Sequence, residues 1–229
     1  DLRRLLDQHR LTGVGICTGH VFGEDGLGLV GADLRISRPA MDRMKSLVDF
    51  GAAWLGRESL LNIGRARGPG VPAKSADTLS AMVEAFQELA DYARRGGVRL
   101  VLEPVNSLQA SFIHTTQDGL DMVRRVNRPN FGLMLDVFHM NIEDVDIYDS
   151  IREAGDRCWF AHFCDNNRKW PGNAHLDFAR IVATLEEIGY DGFVSLEMLP
   201  WPDSETAARL SIESLRRYIP ASRGEGHGH

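Results

Sequence analysis

Glu103, Asp136, His162 and Glu197 each close a short apolar run: Leu100-Val101-Leu102-Glu103, Leu133-Met134-Leu135-Asp136, Trp159-Phe160-Ala161-His162 and Val194-Ser195-Leu196-Glu197. Three carboxylates and one imidazole form an oxygen-rich donor set that suits Mn²⁺, Mg²⁺ or Co²⁺ and not a thiolate-bound Zn²⁺. The spacings between the four are 33, 26 and 35 positions, each about the length of one strand-plus-helix unit. Brought to one point, their like charges repel by several kcal/mol at low effective dielectric, and a bound cation relieves the repulsion. Two neighbours extend the set. His139 follows Asp136 in an Asp-x-x-His pair and is expected to point into the same pocket. Arg168 and His175 lie in the polar stretch after His162 and are donors suited to a polyhydroxylated ligand. The competing reading of Asp136 is a helix N-cap, and that of Glu103 and Glu197 is a cap or salt bridge.

Strand and helix patterns alternate along the chain, the mark of parallel βα units. Strands are expected near Gly13–Cys17, Leu60–Gly64, Val98–Pro104, Phe131–Asp136, Cys158–Cys164 and Phe193–Met198. Helices are expected near Leu2–His9, Pro39–Leu55, Ser75–Arg95, Thr116–Val126, Ile147–Ala154, Phe178–Ile188 and Ser204–Tyr218. Pro39 suits a first helical turn, and Gly96-Gly97 and Gly189 suit helix stops. In a (β/α)8 TIM-type barrel all strands open onto one face at their C-terminal ends, where chemistry sits. The predicted fold is therefore an α/β barrel of this type. Six strands are two short of closure, so the first two are expected to be lacking from this chain, with about 40–50 residues preceding Asp1 in the natural protein. The ring should then be incomplete, with a gap beside Gly13–Cys17. Such a gap exposes sheet edge, and self-association to a dimer or tetramer is expected. Residues 18–37 read as a lid or a disordered loop, and Gly64–Gly70 as an exposed loop or an anion site lacking the Gly-Lys-Ser/Thr of a P-loop. Trp54 and Trp201 read as packing residues.

The 229 residues, 43% hydrophobic and 25% charged, suit one barrel domain over 1–220 followed by a flexible polar tail, 221–229, whose His227 and His229 read as a frayed terminus. No run approaches the roughly 20 apolar residues of a membrane span, and a net charge of −6 disfavours nucleic-acid binding. Cys17, Cys158 and Cys164 are odd in number and form no CxxC pair, which fits free thiols and a cytoplasmic location.

Three strings carry a resemblance: Leu102-Glu103-Pro104-Val105-Asn106, Met134-Leu135-Asp136-Val137-Phe138-His139-Met140-Asn141-Ile142-Glu143, and Asn167-Arg168-Lys169-Trp170-Pro171-Gly172 with His175 and Asp177. They resemble the xylose isomerase-like TIM barrels, and within them the sugar phosphate isomerase/epimerase family of keto-sugar 3-epimerases. The resemblance implies one divalent ion, Mn²⁺ before Mg²⁺ or Co²⁺, held by Glu103, Asp136, His162 and Glu197, and substrate contacts from His139 and Arg168. One departure stands out. Many of those epimerases read Asn-Arg-Tyr/Phe-Glu where this chain reads Asn106-Ser107-Leu108-Gln109, so the usual ketohexose is not carried over.

The chemistry expected of such a site is proton abstraction and return on a keto-sugar or keto-sugar acid. An ion chelated by a ketone oxygen and a neighbouring hydroxyl stabilises an enediolate. Glu103 and Glu197, on strands three apart and so nearly opposite in a ring of eight, are the expected catalytic pair, one removing the proton and the other returning it from the other face. Aldose–ketose isomerisation and keto-polyol dehydration use the same enediolate and remain open, as does a barrel that only binds ligand. An abasic-DNA endonuclease would need more metals and more histidines than this chain offers.

Overall fold

Parallel strand pairing in strict chain order dominates the computed structural model, which describes residues 2–219. The strands are β1 (Gly15–Ile16), β2 (Leu60–Ile63), β3 (Arg99–Leu102), β4 (Phe131–Asp136), β5 (Cys158–Phe163) and β6 (Val194–Leu196). They form one sheet in the order β1-β2-β3-β4-β5-β6. The helices are α1 (Leu2–His9), α2 (Gly19–Gly23), α3 (Arg38–Phe50), α4 (Ser75–Gly96), α5 (Thr116–Val126), α6 (Val137–Glu143), α7 (Ile147–Ala154), α8 (Phe178–Glu187) and α9 (Ser204–Leu215). The outcome is a six-stranded incomplete barrel of TIM type. β1 and β6 are its two edges, and a cavity of about 320 Å³ lined by Val14, Ile16, Phe160, Phe193 and Val194 lies between them. The predicted tail 221–229, with His227 and His229, lies outside the described residues.

Local chemistry sets the element ends. Thr115 and Asp118 open α5 with a reciprocal capping box, satisfying two otherwise orphaned backbone donors. Ser37 caps α3 ahead of Pro39. Gly97 ends α4 at φ 72°, a left-handed conformation that favours glycine.

The inner strands β2, β3 and β4 are buried on both faces, which is why they read as continuous apolar runs rather than alternating ones. Leu61, Ile63, Leu100, Leu102, Leu133 and Leu135 join the large core under the helices, where Phe86 and Phe131 stack 5.5 Å apart. Leu60, Val101 and Met134, with Val14 and Phe160, fill the inside of the curled sheet. Side chains alternate along a strand. Glu103 therefore shares the inward parity of Val101, as Asp136 does with Met134, His162 with Phe160 and Glu197 with Ser195. Register places Asp136 beside His162 and His162 beside Ser195. One alternation rule thus aims all four expected ligands at the barrel mouth.

Three expectations need correction. Residues 18–37 are not a disordered loop: Val21, Leu29 and Val30 are buried, and a bridge joins Val30 to Ile36. Three spaced apolar side chains anchor a Gly-rich segment with too little periodicity to register as an element. Asp136 opens a further helix, α6, which is not among the expected ones. At seven residues that helix is too short to show a 3.6-residue pattern. The Gly64–Gly70 segment is not simply an exposed loop, since Ala66 and Arg67 are buried within it. Arg67 is 1% exposed, and its guanidinium donates to the carbonyls of Gly64, Glu103, Phe112 and Ile113. Spent on backbone, that cation ties the ends of β2 and β3 to the following loop. Burial lowers its pKa to about 10, the charge of Glu103 acting against this.

Candidate metal centre

Glu103, Asp136, His162 and Glu197 each offer a ligand atom, and these atoms all lie within 4.8 Å of one another. Asp136 is 1% exposed and His162 2%, whereas the Glu197 side chain is 43% exposed and faces the opening. Neither ring nitrogen of His162 makes a well-formed hydrogen bond, although Nδ1 lies 3.5 Å from Glu197 Oε2. A buried imidazole unsatisfied at both nitrogens, among three carboxylates, is a costly arrangement unless it ligates. The donor set therefore fits a divalent cation.

Asp136 reconciles its two readings. Its Oδ1 accepts from the backbone N–H of Phe138 at 2.8 Å as the N-cap of α6, while Oδ2 lies 3.2 Å from Arg168 and 3.7 Å from His139. The cap fixes the carboxylate and leaves the second oxygen for the site.

The tautomer of His139 follows from its neighbour. The Asn106 Oδ1 accepts from Leu108 N–H, which turns Nδ2 toward His139 Nδ1 at 2.7 Å. Nδ1 must accept, so the proton resides on Nε2, 3.6 Å from Glu103 Oε1. Burial, reinforced by the Arg168 charge, lowers the His139 pKa to about 4. His139 is thus a neutral donor aimed into the pocket.

Electrostatics in the ion-free cluster reflect crowding. Burial, followed by the Glu103 charge, raises Asp136 to about 8; burial also raises Glu103, against the pull of His162 and Asn62. Burial opposes ionisation of Glu197 too, but His162 and Arg168 outweigh it and hold its carboxyl below the usual range. For His162 burial works downward, and contacts with Cys17 and Glu197 outweigh it to hold the ring at about 10. Arg168 bridges Asp136 Oδ2 at 3.2 Å and Glu197 Oε2 at 2.6 Å, and its guanidinium lies over Phe138, 4.4 Å from the ring centre. It occupies the place where a cation relieves the acids.

Two supporting residues escaped the sequence reading. Asn62, inward on β2, donates to Glu103 Oε2 at 2.9 Å. A polar side chain at inward parity in an apolar strand was the available signal. Asp165 is fully buried and accepts from the backbone N–H groups of Asn166, Gly172, Ala174 and Leu176. It organises the loop that carries Arg168, and nothing in its spacing marks it. His175 is exposed and does not line the cavity. Trp201 stacks on Trp170 at 6.1 Å with Lys169 over its ring, and Trp54 packs against Phe50 at 6.2 Å. All three cysteines are free.

Two expected results arise here. Asp165→Ala strands several buried N–H groups and should lower unfolding stability by about 3 kcal/mol or more, read from urea midpoints at unchanged slope. An unchanged midpoint would remove Asp165 as the organiser of its loop. Gly64→Ala places a methyl 2.6 Å from Glu103 Oε2, so this carboxylate must move. Divalent-ion affinity should fall at least about tenfold while the apo protein stays folded, since overpacking costs only about 1–3 kcal/mol. Titration calorimetry and circular dichroism check the two halves.

An incomplete parallel barrel with an acid-rich cluster at its strand C-termini defines a TIM-barrel protein with a candidate divalent-metal centre. The chain belongs to the xylose isomerase-like TIM barrel family, whose model matches residues 1–218. It is 37% identical over 173 residues to an L-ribulose 3-epimerase of Methylomonas sp. (strain DH-1), an alignment covering 68% of this chain and 59% of that protein. It is 40% identical over 115 residues to a D-psicose 3-epimerase of Ruminiclostridium cellulolyticum, covering 50% of this chain and 39% of that protein. Among solved structures it superposes on a D-allulose 3-epimerase from Methylomonas sp. in complex with D-allulose, with TM-score 0.79, 27% identity and coverage of 96% of this chain and 82% of the other. The chain thus matches 59% or less of the length of these two curated relatives. Among the described residues no helix is long and apolar enough to cross a membrane.

Proposed function

We propose that this protein is a divalent-metal-dependent keto-sugar epimerase, working by proton abstraction and return at the carbon beside a ketone. The observation that carries the proposal is the inward convergence of Glu103, Asp136, His162 and Glu197 with an unsatisfied buried His162. The named relatives are ketose 3-epimerases, which supports the same reading.

Glu103, Asp136, His162 and Glu197 would hold the ion, with Mn²⁺ the first choice for such oxygen-rich donors. When bound, it supplies Lewis-acid polarisation of the ketone and stabilises developing negative charge. The remaining work falls to side chains. Glu103, deep in the barrel and held by Asn62, and Glu197, at the opening, exchange the carbon-bound proton from two sides. His139 donates through Nε2 to a substrate oxygen. Arg168, released from the carboxylates it bridges, turns its guanidinium to substrate hydroxyls. The cavity of about 130 Å³ suits a small sugar, and the net charge of −6 disfavours a nucleic acid. A cytoplasmic location and assembly into a dimer or tetramer complete the reading, the exposed edges of β1 and β6 offering the surface that assembly covers.

Chelator-treated protein, reloaded with Mn²⁺, Mg²⁺ or Co²⁺ and offered D-psicose, D-tagatose and L-ribulose, tests the proposal. Chromatography should show ion-dependent interconversion of 3-epimers. Formation of aldoses instead would make the protein an aldose–ketose isomerase.

A further inference from the structure

One cation at the mouth of the cavity has no task in the scheme above. Arg65 opens the tight turn Arg65–Arg67 directly after β2 and lines the cavity together with Glu103, Gln109, His139 and Glu197. Its side chain is exposed. The guanidinium lies 4.6 Å from the centre of the Phe22 ring on α2. Among the described residues no carboxylate lies within ion-pair distance of it, whereas Arg168, the other arginine of the cavity, is committed to Asp136 and Glu197.

The backbone beneath Arg65 is unusually well fixed. Two positions on, buried Arg67 donates to Gly64, Glu103, Phe112 and Ile113 carbonyls, and Gly64 packs against the Glu103 carboxylate. The same turn therefore locks one arginine inward and presents the next at the opening. Stacking on Phe22 orders the exposed one further. A planar guanidinium held this way is preorganised for a carboxylate or phosphate, which it meets with paired hydrogen bonds.

Charge balance points the same way. A divalent ion and Arg168 together offset the three carboxylates of the metal centre, and Gln109 on the same lining is uncharged. With the ion in place, Arg65 gives the mouth its surplus of positive charge.

We infer that Arg65 selects the substrate: the ketose accepted here carries an anionic group, a carboxylate or a phosphate, on the part of the molecule that reaches the cavity mouth. This rests on the metal-site reading of the function and narrows its substrate class.

Binding and exchange are measured separately on the Mn²⁺-loaded protein. Calorimetric titration compares D-glucitol with D-glucitol 6-phosphate, neither of which can turn over. The phosphate should bind at least about tenfold more tightly, as expected for a charge-assisted hydrogen bond. That ratio should approach one in Arg65→Ala and be partly kept in Arg65→Lys. A wild-type ratio near one, or a ratio that survives Arg65→Ala because the ion or Arg168 holds the anion, overturns the inference. In parallel, deuterium uptake at C3 from D₂O is followed by NMR for D-fructose, D-fructose 6-phosphate and D-fructuronate. Faster exchange of the phosphate or of the carboxylate supports the inference and identifies which anion is meant. Equal exchange in all three defeats it while leaving the metal-site reading standing. Exchange in none of these three, nor in D-psicose, D-tagatose or L-ribulose, defeats the epimerase reading, and the titration still decides whether Arg65 recognises anions.

Discussion

Glu103→Gln and Glu197→Gln should each remove measurable turnover, a loss of about 10²–10⁴-fold or more, because each deletes a proton-transfer group and weakens the ion at once. The structure separates the two variants in one respect. Glu103 is buried under Asn62 with Gly64 against it, and a glutamine there can still satisfy Asn62 through its carbonyl. Glu197 is half exposed and pairs with Arg168 at 2.6 Å. Glu197→Gln should therefore leave Arg168 on Asp136 alone and lower apo stability modestly, since the Arg168 pair is partly exposed but buried His162 also loses a partner. Steady-state kinetics at saturating Mn²⁺, with thermal melts of the apo proteins, checks both statements. Turnover within tenfold of wild type in either variant would remove that residue from proton transfer.

Arg168→Ala has the second largest expected effect, and it divides by ligand state. In the ion-free protein Arg168 joins His162 in relieving Asp136 and Glu197, so its loss should lower apo stability. A metal ion competes with the guanidinium for those same oxygens. Mn²⁺ affinity should therefore be unchanged or higher in Arg168→Ala, and the rise in melting temperature on adding Mn²⁺ should be larger than in wild type. Substrate use should suffer instead: losing a charge-assisted hydrogen bond of about 1.5–3 kcal/mol lowers kcat/KM roughly 10–150-fold. Calorimetry with Mn²⁺ beside the kinetics decides the matter. A large loss of ion affinity with unchanged kinetics at saturating ion would make Arg168 a structural residue.

The sequence exposed this site because barrel geometry converts a simple pattern into convergence. Each of the four clustered residues ends an apolar strand at inward parity, and parallel register then brings them to one level. The helices α1, α5 and α7 match their sequence patterns end to end, since full amphipathic turns, with capping residues at α5 and α7, leave little ambiguity. Short elements were less legible. α6 offers too few residues for periodicity, and α2 sits in a Gly-rich segment whose order comes from the burial of Val21 and Leu29. Least legible were the tertiary anchors. Arg67 and Asp165 look like loop charges, because a charge acquires buried backbone partners only through the fold. Asn62 was the readable exception, an amide interrupting an apolar strand whose neighbours β1 and β3 end beside it. Arg168 was found as a cation of the pocket, but its bridge between two carboxylates depends on a loop folded around Asp165, and no spacing rule reports that.

Deuterium uptake tests the central claim most directly. Mn²⁺-loaded protein in D₂O, mixed with D-psicose, D-tagatose, L-ribulose, D-fructose 6-phosphate or D-fructuronate, should place deuterium at C3 of at least one ketose, seen as loss of the H3 resonance by proton NMR. The exchange should stop on chelation, return with added Mn²⁺ and be absent in Glu103→Gln and Glu197→Gln. Retention of hydrogen at C3 in every ketose by protein shown to contain Mn²⁺ would contradict the claim that Glu103 and Glu197 move that proton.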